Sequence, residues 1–290
     1  KYSTYVAHCM KPGENNNILC IGAPGSYKSR GFIIPFLMGC AQRSNSDGGQ
    51  HPESVIVTDP KGELFEMTAP YFEKNGFYVK AVNFLDMAHS DGWNCLAGLD
   101  TNPDLVTTVA NTIIQNTSGP KEADDFWSRA ELTLLMALIH YVCNKKDDRG
   151  NLLPLEQRSL GDVYKILAYK SVNEINRTLA ELPPEHPAKG PHGLFLKARE
   201  NLWGNIIIGL GNRLAVFQNP LVDKITRNHD VDLLLPGQRP CAYFVIISAQ
   251  DSAYRFLSSL FFSLTFPQLS NYARLHGGRL PVLTNFCLEE

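Results

Sequence analysis

The sequence holds little from which to build a cross-linked or metal-clasped protein. Its seven cysteines, Cys9, Cys20, Cys40, Cys95, Cys143, Cys241 and Cys287, are odd in number, scattered, and never spaced as C-x-x-C. That excludes a disulfide framework and a thiolate zinc site, and most of them read as small buried hydrophobes of a reducing compartment. The eight histidines form no H-x-x-x-H or H-x-H set, so no imidazole cluster for a metal is expected. Excess charge of one sign is missing as well: 27 Lys and Arg face 29 Asp and Glu, a net charge of -2. A strongly basic domain that coats nucleic acid is thereby excluded, whereas a local basic patch is not. No apolar run reaches the roughly 20 residues of a membrane span. The longest, Leu132 to Cys143, is interrupted by Thr133 and His140. Repeats, low-complexity tracts and a secretory leader are absent too. The chain is expected to be soluble as it stands, and its first residue, Lys1, leaves room for an N-terminal part outside it.

What is present is ample for a core. The 290 residues are 44% hydrophobic and 19% charged, enough for one large domain or two smaller ones. Asn15 to Gly22 reads as a short buried strand, followed by a loop and an apolar helical run from Phe32 to Met38 with Pro35 as its kink. Ser54 to Thr58 is a second β-branched strand. Glu63 to Lys74 reads as a helix stopped at Gly76, and Tyr78 to Leu85 as a third strand. Strands alternating with helices point to a parallel sheet. From about residue 100 to 220 the texture is helical: Phe126 to Cys143, Leu160 to Leu182, a loop marked by Pro183, Pro184, Pro187 and Pro191, then Leu194 to Phe217. A strand over Cys241 to Ser248, a helix over Ala253 to Leu275 containing Pro267, and a strand over Pro281 to Leu288 complete the pattern. The expectation is an α/β domain interrupted by an all-α insertion: residues 1–99 and 221–290 form the α/β part and 100–220 the insertion.

Three stretches carry chemistry. The first is Gly22-Ala23-Pro24-Gly25-Ser26-Tyr27-Lys28-Ser29, placed between a strand and a helix. In such a loop, backbone N–H groups and the helix N-terminus hold phosphates, a Lys ammonium reaches the β and γ phosphates, and a Ser hydroxyl ligates Mg²⁺. The pattern G-x-x-x-x-G-K-S/T is met except at Tyr27, which stands where glycine is favoured for its freedom at positive φ. An ordinary strand-to-helix turn with an exposed Lys is the competing reading. The second stretch is the apolar run Leu280 to Leu288, which ends in Glu289 and Glu290. An acidic pair at the end of a buried strand suits an ATPase: the first acid holds Mg²⁺ and the second polarises the attacking water. The usual first acid is Asp, one methylene shorter than Glu289. The third stretch, Val57-Thr58-Asp59-Pro60-Lys61-Gly62-Glu63 with Ser90 to Asn94 further on, supplies loops at the C-terminal ends of parallel strands, the edge where ligands bind. Physics alone prefers a turn and a capped helix there.

Taken together these stretches resemble a known family. Gly22, Gly25, Ser26, Lys28, Ser29, Arg30, Gly31 and Phe32, then Ile34-Pro35, Ser54 to Glu63, Phe72 to Phe77, and Asp91, Trp93 and Asn94 look like the type IV secretion coupling proteins, the TraG/TraD group. Pro281-Val282 and Phe286 to Glu290 resemble their Walker B strand. The resemblance is dense over residues 12 to 95, looser over 225 to 290, and one of kind in the helical middle. It implies a RecA-like P-loop ATPase fold with an all-α insertion and a homo-hexamer with N-terminal membrane helices. The family sits at the cytoplasmic face of the inner membrane and delivers single-stranded or relaxosome-bound DNA, relaxase or other protein to a secretion channel. By position it implies ATP and Mg²⁺ as cofactors, held by Gly22, Gly25, Ser26, Tyr27, Lys28, Ser29 and Arg30. Lys28 would act in catalysis, Ser29 and Glu289 would serve the metal, and Glu290 would be the base. The insertion, roughly Asp100 to Pro220, would meet substrates or relaxosome proteins. A chain ending at Glu290 lacks sensor residues and an arginine finger, so it is expected to hydrolyse ATP poorly alone.

Two other readings compete. In one, Tyr27 closes the phosphate loop and the protein is a docking adaptor that does not use nucleotide. In the other, the chain is a different motor for DNA packaging or segregation, against which the Asp59-Pro60-Lys61-Gly62-Glu63 segment speaks. Gly209-Leu210-Gly211 misses dinucleotide spacing. His140 reads as a satisfied core histidine, and Trp127 and Trp203 as core rather than base-stacking groups. Asp251 after Gln250 reads as a helix N-cap. Asn116-Thr117-Ser118 and Asn176-Arg177-Thr178 match a glycosylation pattern that a cytosolic chain would not use.

Overall fold

The computed structural model describes residues 17–23, 25–45, 52–118, 126–247 and 254–289. They divide into two compact units. One takes the described residues of Lys1–Ala81, Leu234–Ile246 and Asn271–Glu290, the other those of Val82–Leu233 and Ile247–Ser270.

The first unit is built on a four-stranded, all-parallel sheet of β1 (Glu53–Asp59), β2 (Tyr78–Asn83), β3 (Cys241–Ile246) and β4 (Leu283–Leu288), in the order β2-β3-β1-β4. The arrangement is α/β and consistent with a RecA-like P-loop ATPase fold. The register sets Val57 against Phe244 on one side and against Cys287 on the other. All of β3 is buried and β1 nearly so, which is why both read as continuous apolar runs rather than alternating ones. Helices α1 (Ile34–Asn45) and α2 (Glu63–Lys74) pack on this sheet through Leu37, Cys40, Ala41, Leu64, Ala69 and Phe72, which meet Val55, Val57, Ala242 and Phe244. Phe72 stacks edge-on against both Phe77 and Phe244; burying a ring of this size contributes roughly 1.5–3 kcal/mol. Gly76, at φ +80°, lets the chain leave α2 for β2.

At the N-terminal end of β1, Glu53 is buried but fully engaged. It receives bonds from Arg43 Nε (2.7 Å) and Nη2 (3.0 Å) on α1 and from Asn285 Nδ2 (3.0 Å) on β4. One carboxylate thus fastens a helix and two strands, an outcome that a buried charge requires if it is to be tolerated.

The second unit is helical. It holds α3 (Asp104–Thr117), α4 (Phe126–Cys143), α5 (Leu160–Tyr169), α6 (Val172–Ala180), α7 (Lys189–Phe195), α8 (Glu200–Arg213) and α9 (Pro220–Arg227), with most of α10 (Arg255–Leu275). Ser159 and Ser171 close capping boxes with Asp162 and Glu174, which fixes where α5 and α6 begin. Inside it, Glu131 on α4 pairs with Arg213 on α8 at 2.6 Å, and Arg213 also donates to Ser118 and Ser128. Gly209 faces this pair: a Cβ there would stand 2.1 Å from Glu131 Oε1. The glycine makes room for the carboxylate, and no dinucleotide loop is involved. Among the described residues no helix is long and apolar enough to cross a membrane.

Several expectations need correction. The described part of the first expected strand, residues 17–22, is irregular and exposed, with Leu19 83% and Ile21 85% accessible. A short apolar run becomes a strand only with a ladder partner, and this one pairs with none of the described strands. Pro35 is the second residue of α1 and follows directly on a π-helical turn, Ser29–Ile33, so its missing N–H falls where the helix changes from π to α bonding. Pro191 belongs to α7 rather than to the loop before it. Trp127 is 40% exposed and packs edge-on against Phe126 at the start of α4, so it is not core. His140 is buried as expected, but its Nδ1 has no hydrogen-bond partner. Gln250, Asp251, Pro24 and Cys9 lie outside the described residues.

Candidate functional site

The site lies within the first unit, at the C-terminal ends of β1 and β4. Residues 25–28 form the loop, and the helical turn from Ser29 carries it away. Gly25 sits at φ +78° and Tyr27 at φ +60°. Among the described residues Tyr27 alone of the non-glycines has positive φ. The backbone therefore adopts at position 27 the conformation for which glycine is favoured, and the Tyr side chain bears the strain, roughly 1–2 kcal/mol. Its ring stands 73% exposed at the mouth of the loop. Gly22 is needed for space: a Cβ there would lie 2.4 Å from Ser26 Oγ.

Lys28 turns back on its own loop. Its ammonium donates to the carbonyls of Gly22 (2.6 Å) and Ala23 (3.2 Å). Ser29, half-buried beside it, donates its hydroxyl to the carboxylate of Glu289, which follows β4. Glu289 is held in turn by Thr58 at the end of β1. Its backbone N–H donates to Thr58 Oγ1 (2.6 Å), and Thr58 Oγ1 donates to its carbonyl (2.9 Å). Thr58 belongs to the third stretch, Val57 to Glu63, but its role in holding Glu289 is one that sequence reasoning missed, because the pairing of β1 with β4 that brings the two together is not a local signal. Beneath Glu289, Cys287 has its thiol pushed up to about 11, first by burial and second by the Glu289 charge.

Glu289 and Ser29 are brought together, and Lys28, Ser26, Tyr27, Gly25 and Gly22 line the same loop. Arg30 is exposed on the turn after Ser29. Glu290 lies outside the described residues. The Asp59-Pro60-Lys61-Gly62-Glu63 segment is a capped turn: Asp59, buried, accepts from Phe65 N (2.8 Å) and Lys61 N (3.4 Å), and Gly62 at φ +78° starts α2. That places Lys61, exposed, on the loop that follows β1. In the helical unit Asn94 is a brace, donating to the carbonyls of Leu155 and Arg158.

The donor set fits a nucleotide with a hard cation. A serine hydroxyl and a carboxylate converging on one point supply the oxygen ligands that Mg²⁺ takes, usually with waters and phosphate oxygens. An ammonium on a loop at a helix start suits the phosphates. No group of three His, Cys, Asp or Glu side chains able to hold a metal occurs among the described residues, which fits an ion whose shell is completed by waters and phosphate oxygens.

Comparison with known proteins shows the family. Residues 4–290 match the family described as type IV secretory system conjugative DNA transfer. The chain is similar to two Escherichia coli proteins, each named conjugal transfer protein TraG. One is 23% identical over 265 residues, 85% of this chain and 38% of the relative. The other is 24% identical over 255 residues, 82% of this chain and 37% of the relative. The chain thus spans under two-fifths of the length of these relatives. A match over nearly the whole chain decides the family: this chain belongs to the type IV secretory system conjugative DNA transfer proteins.

Proposed function

We propose that the chain is the nucleotide-binding part of a conjugative coupling protein, one that uses ATP and Mg²⁺ to deliver DNA–relaxase or protein substrate to a secretion channel. The observation that carries this reading is the meeting of Ser29 with Glu289, from opposite ends of the chain, beside Lys28. Bound Mg²⁺ would neutralise phosphate charge as it develops. Ser29 and Glu289 would bind it once the bond between them opens. Lys28 would leave the Gly22 and Ala23 carbonyls for the β and γ phosphates, where its fixed charge favours the transition state. Glu290 would orient the attacking water as general base, and Gly22, Gly25, Ser26, Tyr27 and Arg30 would line the nucleotide. The helical segment would dock substrate or relaxosome proteins. Assembly as a homo-hexamer and membrane attachment at the cytoplasmic face through segments outside this chain belong to the same reading.

The test is ATP hydrolysis by a chain extended past Glu290, with Mg²⁺, with and without single-stranded DNA. Turnover that DNA stimulates and that Lys28→Ala abolishes is expected. Unchanged turnover in Lys28→Ala would overturn the assignment. The Tyr27 side chain, standing where a phosphate loop has glycine, favours a second reading, a substrate-docking adaptor that binds no nucleotide; there Tyr27→Gly would create binding where the native chain has none.

A further inference from the structure

A cleft of about 210 Å³ opens in the helical unit between the ends of α4 and α5. Its floor is apolar, formed by Val142 and Ile166, and its rim carries Lys145, Lys165, Lys170 and Tyr169. Tyr169, the last residue of α5, is 81% exposed. The one acid in the lining, Asp162, is already engaged: Arg227 grips both of its oxygens at 3.0 Å and Ser159 donates to one of them. Lys165 contacts Asp223 at 2.9 Å, and Asp223 also receives Arg227. Counting Lys145, Lys165, Lys170 and Arg227 against Asp162 and Asp223, four cations to two anions, the cleft keeps a local surplus of +2 in a chain whose net charge is -2.

We propose that this cleft is a docking site for an acidic, partly apolar peptide segment of a partner protein. It gives a chemistry to the docking role assigned above to the helical segment, and rests on that reading. Three features favour a peptide over a nucleic-acid strand. The apolar floor suits an aliphatic side chain, which a phosphate backbone lacks. The end of α5 presents helix carbonyls, which accept the backbone N–H groups that a peptide offers along its length. The chain just beyond Lys145 carries Asp147 and Asp148, and Glu174 lies just beyond Lys170, all exposed, and these acids oppose a longer polyanion. A segment with one or two carboxylates needs only local complementarity, and its apolar residue gains from burial against Val142 and Ile166.

Fluorescence anisotropy of the whole chain tests this with two probes: a short labelled peptide of alternating aspartate and leucine, and a labelled oligo-dT strand. Peptide binding is expected, weakened by salt and reduced about tenfold in Lys145→Gln/Lys170→Gln, because removing rim charges lowers the on-rate and affinity for an anion. Both lysines lie on the rim, and an unchanged melting curve checks that the variant is folded. A second variant, Tyr169→Ala, is expected to weaken the peptide without altering the salt dependence. Peptide binding that neither variant changes would overturn the cleft and leave the docking role of the segment intact. Preferential binding of oligo-dT, lost in the lysine variant, would overturn the peptide assignment in favour of nucleic acid, and failure of both probes to bind would overturn the proposal.

Discussion

Ser29 and Glu289 are separated by 260 positions in the sequence, and their side chains are joined by a hydrogen bond. The contact exists because β4 pairs with β1 in a register that sets Leu288 beside Thr58, so the residue after β4 emerges next to the threonine that grips it. The candidate site is therefore a product of sheet pairing as much as of motif.

Replacing Ser29 by alanine tests the hydroxyl. A hydrogen bond to a charged group contributes roughly 1.5–3 kcal/mol, less when the pair is half-exposed to water. The fold should survive, since Thr58 still holds Glu289. The Mg²⁺-dependent part of nucleotide affinity should fall about tenfold or more, a loss of about 1.4 kcal/mol. Calorimetric titrations of nucleotide with and without Mg²⁺ check this. Equal affinities in native and variant chains would remove Ser29 from the site.

Tyr27→Gly should relieve the positive-φ strain. About 1–2 kcal/mol is released in the native loop, partly offset by the greater freedom of glycine in the unfolded chain, about 0.4–1 kcal/mol. The melting temperature should rise slightly and nucleotide binding should tighten. Tyr27→Ala, which keeps a Cβ, should do neither. If Ala and Gly behave alike, the ring rather than the backbone is at issue.

Much of this organisation was legible because its signals are local. The span of α2, Glu63–Lys74, and its stop at Gly76 followed from periodicity and one glycine. The span of α4, Phe126–Cys143, followed from an apolar run. Strand failure at residues 17–22 has the opposite cause: a strand is decided by its ladder partner, which no local pattern names. The Glu53–Arg43–Asn285 and Glu131–Arg213 linkages were invisible for the same reason. Trp127 misled because size argues for burial while its place in the first turn of α4 leaves one face open.

The Glu131–Arg213 pair gives a stability prediction for the helical unit. Arg213→Met leaves the Glu131 carboxylate buried beside Gly209 without its cation. Breaking a buried pair in this way costs about 3–5 kcal/mol. Glu131→Leu/Arg213→Met together should cost much less, because no charge is stranded. Denaturant unfolding monitored by circular dichroism measures both, and equal losses would mean that the pair is not electrostatically coupled.

Acid should loosen the same unit. His140 has its pKa lowered by burial first and by the His186 charge second; His186 and His192 are lowered too, each chiefly by burial. The facing charges are Lys146, Glu185 and Lys189, of which the two lysines oppose a proton. An unfolded histidine titrates near 6.5, above the folded values, so below that pH the unfolded chain binds more protons. Stability should be level above pH 6.5 and fall as pH drops from there toward the folded values. In His140→Gln the fall should be shallower. Melting curves between about pH 7.5 and 5 check the slope; a rise in stability on acidification would contradict the assignment.

The most direct measurement of the central claim is calorimetric binding of Mg²⁺ with a non-hydrolysable ATP analogue to the native chain and to Lys28→Ala. The account predicts saturable binding by the native chain and none by the variant, whose melting curve should stay close to native because Lys28 contacts only the carbonyls of its own loop. Binding that persists in Lys28→Ala, or its absence from a folded native chain, would contradict the nucleotide site.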